Sequence, residues 1–226
     1  MTEATNSAQI SVGTRIHCIL YGGKDGVVVG VKGESSPGTV RGLLGGLCVT
    51  GGNAGYDIIW ENGTESKKIP DCIIRGVQWR ILEGFVDTAG IAGARVLAKQ
   101  ESKRRSEAEA ARSAAFSAEV QRVRSDPAYA HLSQDKAARS SKLASANIRA
   151  DLKKHLPGIK FSVRSHSHSS IDIRFDEGTT TRDAVNAIVG KYSTGYYDSF
   201  SDCHLARSSP FNLVYGGVEH VWAQAA

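Results

Sequence analysis

Phe161-Ser162-Val163-Arg164-Ser165, His166-Ser167-His168-Ser169 and Ser170-Ile171-Asp172-Ile173-Arg174-Phe175 form the most regular passage of the chain. Phe161 and Val163 alternate with Ser162 and Arg164, and Ile171, Ile173 and Phe175 alternate back after a polar turn. A strand points successive side chains to opposite sides, so the pattern predicts an antiparallel hairpin with one apolar face. Thr180 or Thr181 then caps a helix in which Val185, Ile188, Val189 and Tyr192 fall at i, i+3, i+4 and i+7, one apolar stripe. A connection rich in Tyr, Phe, Gly and Ser leads to an expected last strand around 211–215. Helices packed on one face of a small antiparallel sheet bury both apolar surfaces. The expected fold here is an α+β sandwich.

Upstream of the hairpin, Ile148, Leu152 and Leu156 mark one face of a helix that Ser133 can cap and Pro157-Gly158 stops. Before it, residues 98–115 contain no large apolar side chain, only Ala, Ser, Gln, Lys, Arg and Glu. Alanine and long charged residues are strong helix formers. Glu101 precedes Arg105 by four and Glu109 precedes Arg112 by three, both supportive surface spacings. Such a helix runs about 27 Å with no wide apolar face. It should project into solvent, bridge two end modules, or lie on an anionic partner. Phe116, Val120 and Val123 restore apolar spacing before Asp126-Pro127 ends the helix.

The N-terminal part reads as short strands and turns. Arg15–Leu20 of the sequence, the turn residues Gly22-Gly23-Lys24-Asp25-Gly26 and the run Val27-Val28-Val29 predict one hairpin. Residues 32–46 read as a long surface loop, with a short strand at Leu47-Cys48-Val49-Thr50 beyond it. Tyr56-Asp57-Ile58-Ile59-Trp60, Glu61-Asn62-Gly63 and residues 64–69 predict a second hairpin, because Asn-Gly supplies the positive φ of a tight type I′ turn. Val77, Trp79 and Ile81 alternate with Gln78 and Arg80 in a last strand. Five or six short strands in about 75 residues bury a core by curling into a small barrel.

Two tallies divide the chain. Residues 13–93 hold 18 of the 24 glycines, while Leu97 to His155 hold 13 Lys and Arg against seven Asp and Glu. The net charge of +5 is therefore concentrated in the helical middle. The expected organisation is a small β-barrel at 10–85, a basic helical connector at 89–143 and an α+β domain at 144–226.

At 226 residues, 41% hydrophobic and 23% charged, the chain is neither wholly disordered nor a membrane protein in composition. No secretory signal pattern opens it. Cys18, Cys48, Cys72 and Cys203 are widely spaced with no Cys-x-x-Cys, which reads as reduced thiols and a cytoplasmic setting.

The strand Tyr56–Trp60, the Asn62-Gly63 turn and Ile69-Pro70-Asp71 leading into Cys72-Ile73-Ile74 resemble SH3-like barrels of the Tudor and KOW kind. That resemblance implies a module that binds nucleic acid, peptide or protein. A more specific one follows downstream. Ala146-Asn147-Ile148-Arg149, residues 156–165 (Leu-Pro-Gly-Ile-Lys-Phe-Ser-Val-Arg-Ser), Ser170-Ile171-Asp172-Ile173, Gly178-Thr179-Thr180, Val185 and Ile188-Val189 before Tyr192 run in the order of one domain family. Residues 144–203 resemble the large polyvalent protein-associated domain of class twenty-nine. This resemblance implies a plasmid or phage setting and counter-defence, as a stand-alone version of the domain. It carries over no catalytic residue.

Candidate chemistry is sparse. His166-x-His168 and Cys203-His204 hold metal-ligating types, but in a serine-rich turn and without four-ligand spacing a solvated turn is the better reading. Ser133-x-x-Lys136 lacks the companion motifs of acyl-transfer enzymes. Gly42-Leu43-Leu44-Gly45-Gly46 and Gly51-Gly52-Asn53-Ala54-Gly55 lack the Gly-Lys-Ser/Thr of a phosphate loop. Trp60, Trp79, Tyr196 and Tyr197 could stack bases, although a strand Trp is more often core.

No enzyme, cofactor, metal or membrane is expected. Lys99, Lys103, Arg104, Arg105 and Arg112 are the candidate binding residues for nucleic acid or a partner, with Glu101, Glu107 and Glu109 interleaved among them. The expected function is counter-defence by binding a host nucleoprotein effector, a CRISPR complex or restriction enzyme. The alternative is a DNA-binding accessory for plasmid maintenance or transfer. Self-association through the connector is a further expectation.

Overall fold

The first arm of the hairpin expected at 15–29 becomes β1 (Thr14–Cys18), the first strand of a computed structural model that describes residues 8–20, 23–43, 48–135, 140–176 and 178–225. The chain divides into two units, Met1–Ala110 and Ala111–Ala226. The first holds β2 (Lys24–Lys32), β3 (Arg41–Leu43), β4 (Cys48–Thr50), β5 (Gly55–Trp60), β6 (Glu65–Pro70), the single turn α1 (Asp71–Ile74) and β7 (Trp79–Phe85). Five of these strands form one antiparallel sheet in the order β6-β5-β2-β1-β7. The hairpin expected at Asn62-Gly63 is present. Gly63 takes φ +78°, and Asn62 Oδ1 accepts the Thr64 N–H at 3.0 Å.

Two expectations change here. The sheet is open among the described residues, not a closed barrel, because β6 pairs with β5 alone and β7 with β1 alone. The chain between these edge strands is α1, whose fully buried Ile74 joins Ile16, Val28, Tyr56 and Ile58 in the core. The segment read as one long loop contains a 3-10 turn at Pro37–Thr39 and β3, which pairs antiparallel with β4, the short strand expected beyond it. Leu44, Gly45 and Gly46 of the first Gly-rich stretch and Leu47 of the expected strand lie outside the described residues, as does Gly22.

A buried polar network fastens α1. Arg75 Nε donates to Asp71 Oδ1 at 2.7 Å, and both side chains are essentially inaccessible. The Tyr56 hydroxyl donates to the same oxygen at 3.0 Å, the Ser36 N–H donates to Asp71 Oδ2, and Arg75 reaches Ala8 O and Ser35 Oγ. Burial raises the Tyr56 pKa, which keeps the phenol a donor. The second Gly-rich stretch serves this packing. Gly52 has φ +77°, and a Cβ there would stand 2.4 Å from Asp71 Cβ.

α2 (Thr88–Ser125) is one helix of 38 residues, longer than the alanine-rich run alone suggests. Asp87 Oδ1 accepts the Gly90 N–H at 2.8 Å and caps its start. Within the first unit, Ala98 is buried and Arg95 donates to Val29 O at 3.0 Å. Residues 102–118 are exposed without exception. The helix ends as expected before Asp126-Pro127.

The second unit contains α3 (Ser140–His155), β8 (Phe161–Ser165), β9 (Ser170–Phe175), α4 (Arg182–Val189), β10 (Gly195–Asp198), β11 (Cys203–Ala206), α5 (Pro210–Tyr215) and β12 (His220–Ala225). The β8–β9 hairpin pairs Val163 with Ile173, and Thr181 caps α4. Both follow the sequence reading. Ser133, however, caps no helix, since residues 133–135 are irregular, and its N–H and C=O are both bonded by the buried Asn147 side chain.

The segment 211–215 is helix α5 and not the last strand. Ser209 and Asn212 form a reciprocal capping box with Pro210 in the first turn, and this local geometry outweighs the strand preference of Phe211, Val214 and Tyr215. The last strand is β12, and it runs parallel to β9, so the sheet β12-β9-β8 is mixed and not purely antiparallel. The chain leaves β9 through α4 and α5 before returning, and a crossover of that kind brings the next strand back in the same direction.

Ile171, Ile173 and Phe175 of β9, with Val163 and Ala223, face a core completed by Ile148, Leu152, Val185 and Tyr192. α3 lies on β8 and β9, and α4 lies on β12. No helix of the described residues is long and apolar enough to cross a membrane.

Candidate functional site

The five cations singled out in the sequence all lie exposed on α2. At 100° per residue, Lys99 and Lys103 stand about 40° apart on one side, with Arg105 and Arg112 about 20° apart on the opposite side. The structure gathers two of them onto one carboxylate. Arg104 grips Glu101 through Nε and Nη2 at 2.7 and 2.8 Å, and Arg105 Nε donates to the same group at 2.7 Å. These guanidinium bonds hold the Glu101 pKa down at about 2. Lys103 faces Glu107 at 3.8 Å. Lys99 and Arg112 have no ion pair among the described residues, and they are not on one face. The helix thus presents alternating charge around its circumference.

A second cluster escaped the sequence reading. Asp151 on α3 is fully buried, with His131 Nε2 at 2.7 Å and His155 Nδ1 at 3.7 Å from Oδ1. On the other oxygen, the Tyr192 hydroxyl donates at 2.6 Å and the Lys191 ammonium at 2.8 Å. Burial alone would raise the Asp151 pKa, but the bonds from Lys191, Tyr192 and His131 outweigh it and the net shift is downward. Burial, reinforced by Asp151, drives the Tyr192 phenol strongly upward. Lys191 Nζ also sits over the rings of Tyr129, Tyr192 and Phe211, 5.3 to 5.6 Å from their centroids.

Ligand atoms of His131, Asp151 and His155 lie within 4.8 Å of one another, a spacing a metal ion could use. The Lys191 ammonium already neutralises that carboxylate, and Lys154 Nζ stands 3.2 Å from His131 Nδ1. Two ammonium groups in contact with the ligand atoms oppose a divalent cation. The cluster reads as an ion network joining three segments of the unit. Its local trace in the sequence is the i, i+4 spacing of Asp151 and His155.

The remaining sequence motifs do not converge in space. His166 Nδ1 meets Asp172 Oδ2 at 3.2 Å on an exposed turn, and the exposed His168 joins no ligand cluster among the described residues. Cys203 is free and exposed, while the His204 side chain and Lys136 lie outside what is described. Trp60 and Trp79 are buried with ring centroids 5.7 Å apart, as core residues. Tyr196 and Tyr197 are exposed on the β10–β11 hairpin. Trp222, absent from the sequence reading because β12 was not foreseen, is exposed on the sheet face opposite α3 and α4.

Comparison with known families accounts for nearly the whole chain. Residues 7–127 match the model of large polyvalent protein associated domain 30, and residues 139–225 match that of large polyvalent protein associated domain 29. The second match is the domain that residues 144–203 resembled. The first covers both the open sheet and all of α2, and so takes in the region that resembled SH3-like barrels of the Tudor and KOW kind. No curated protein and no solved structure matches the chain.

Proposed function

We propose, from the premise that this chain belongs to the large polyvalent protein associated domain 30 family and carries a domain 29 module behind it, that it is a non-enzymatic counter-defence protein of a plasmid or phage. Its action is to bind and inhibit a host nucleoprotein effector, a CRISPR complex or a restriction enzyme. The observation that carries this reading is the pairing of two polyvalent-protein modules in one chain, which implies the mobile-element setting. The exposed α2 surface at 102–118 adds a stretch of helix with no intramolecular packing duty, suited to a partner. For the N-terminal sheet, an SH3-like reading is supported by its order, four strands in sequence with the fifth returning beside the first after one helical turn.

The test is affinity capture with the full chain from a host whose defence effector is defined, with and without nuclease, followed by assay of that effector's cleavage activity. Co-purification in both arms with lower cleavage is the expected result. Absence of the effector from both arms overturns the reading.

A second reading, a DNA-binding accessory for plasmid maintenance or transfer, is favoured by the charge of residues 111–226, with 15 Lys and Arg against 11 Asp and Glu. Tight binding to naked duplex with a steep salt slope, and no effector captured, would support it instead.

A further inference from the structure

The outward face of the β12-β9-β8 sheet has a composition that packing does not explain. Register places Arg164, Asp172 and Trp222 abreast on β8, β9 and β12, with Ser162, Arg174 and Gln224 in the next row and Ser170 beside His220 in a third. Neighbouring strands are about 4.8 Å apart, so each full row spans roughly 10 Å. The Trp222 residue is 52% exposed while Ala223 beside it is buried. Its ring lies on that of His220, centroids 5.5 Å apart and planes 25° from parallel. A half-exposed indole forgoes hydrophobic free energy that burial would recover, and such surfaces mark contact sites.

The charges on this face are of one dominant sign. Arg164 and Arg174 are exposed and have no ion pair among the described residues. The carboxylate in these rows, Asp172, is turned to His166 at 3.2 Å. A second aromatic segment starts next to this face. Gly195, at the base of the β10–β11 hairpin, donates its N–H to Glu219 O at 3.0 Å, and a Cβ there would stand 3.6 Å from His220 Cε1. The hairpin therefore leaves the sheet beside His220, carrying Tyr196 and Tyr197 on opposite sides, a Phe200 that is 98% exposed, and the carboxylates of Asp198 and Asp202.

We propose that this face is a platform for single-stranded DNA, with bases stacked on Trp222 and phosphates held by Arg164 and Arg174. Stacking needs unpaired bases, whose faces a duplex hides, and a flat surface about 10 Å wide follows one strand and enters no groove. Guanidinium groups beside an aromatic surface complement a phosphate chain and not an apolar peptide.

Tryptophan emission gives a direct reading, because Trp60 and Trp79 are buried and Trp222 is the exposed indole of the three. Oligothymidylate of roughly 15 nucleotides, within the span of a single binding fold, should quench it saturably, with a duplex of equal length bound at least about tenfold more weakly. Trp222→Ala should abolish the quenching and weaken labelled oligothymidylate binding at least tenfold by anisotropy. Trp222→Phe, which keeps a stacking ring, should stay within about threefold of the parent. Arg164→Glu with Arg174→Glu should flatten the slope of log K against log salt by about 1.4, near 0.7 for each phosphate left without its guanidinium. Absence of oligothymidylate binding at low salt, binding untouched by Trp222→Ala, a Phe variant as weak as the Ala variant, or tenfold preference for oligouridylate would each overturn the proposal.

Discussion

Tyr192 donates its phenolic hydrogen to Asp151 Oδ2 at 2.6 Å, on the oxygen that also takes the Lys191 ammonium at 2.8 Å. The carboxylate belongs to α3, whereas its donors come from the 3-10 turn Gly190–Tyr192 and the segment around His131. Removing its charge leaves the partly exposed Lys191 ammonium over three aromatic rings without its counter-ion. Breaking a fully buried pair from one side costs about 3–5 kcal/mol, and water reaching the 30% exposed Lys191 puts this loss at the lower end, about 3 kcal/mol. Asp151→Asn should therefore lower the melting temperature by roughly 10 °C, measured by circular dichroism at neutral pH. A shift of a degree or two would show that the network adds nothing to stability.

The same carboxylate sets an acid limit. Its pKa in the folded chain lies below the ordinary 3.8, so its contribution is complete above that value and is lost as pH falls through the lower folded value. Glu101 behaves alike on α2, falling from 4.5 to about 2 under the pull of Arg104 and Arg105. Urea melts between pH 5 and 2 should lose stability on acidification, and Asp151→Asn should flatten part of that slope. A slope identical in parent and variant would contradict the role given to Asp151.

Much of this was legible in the sequence where the signal is local. The β8–β9 hairpin follows from Phe161, Val163, Ile171, Ile173 and Phe175, and the Thr181 cap and the stripe through Val185 and Val189 place α4. The Asn62-Gly63 turn places β5 against β6. What escaped depends on contacts far apart in the chain or on a cap that competes with propensity. Phe211, Val214 and Tyr215 read as strand until Ser209 and Pro210 are weighed as a helix start. The parallel pairing of β12 with β9 joins residues about 50 positions apart, which alternation alone cannot register. Asp151, His131 and Lys191 meet only after α3 has packed, so no spacing rule could assemble them.

Gly52 offers a test of close packing in the first unit. Its φ of +77° and the 2.4 Å separation that a Cβ would have from Asp71 leave no room for a side chain. Gly52→Ala should destabilise the first unit by about 2 kcal/mol or more through strain and displacement of Asp71. Amide exchange in β5 and α1 should rise accordingly. Unchanged exchange there would mean that the turn relaxes freely.

The α2 cations separate structure from binding. Reversing Lys103, Arg104 and Arg105 to Glu removes three hydrogen bonds to Glu101 and the Lys103–Glu107 pair and introduces repulsion, but the three cations themselves lie in solvent, where such pairs are weak. The melting temperature should move by only a few degrees. Effector capture should fall at least about tenfold, because attraction at close range becomes repulsion. Capture and stability both unchanged would make this stretch a spacer and move the binding role to the terminal modules.

The counter-defence role itself is measured most directly by plasmid establishment. An unprotected plasmid is introduced into matched hosts with and without one active restriction or CRISPR system, in the presence and absence of this chain. Higher recovery only in the defence-proficient host is expected, lost with the α2 triple reversal. Equal recovery with and without the chain in every host whose effector it captures would contradict the role.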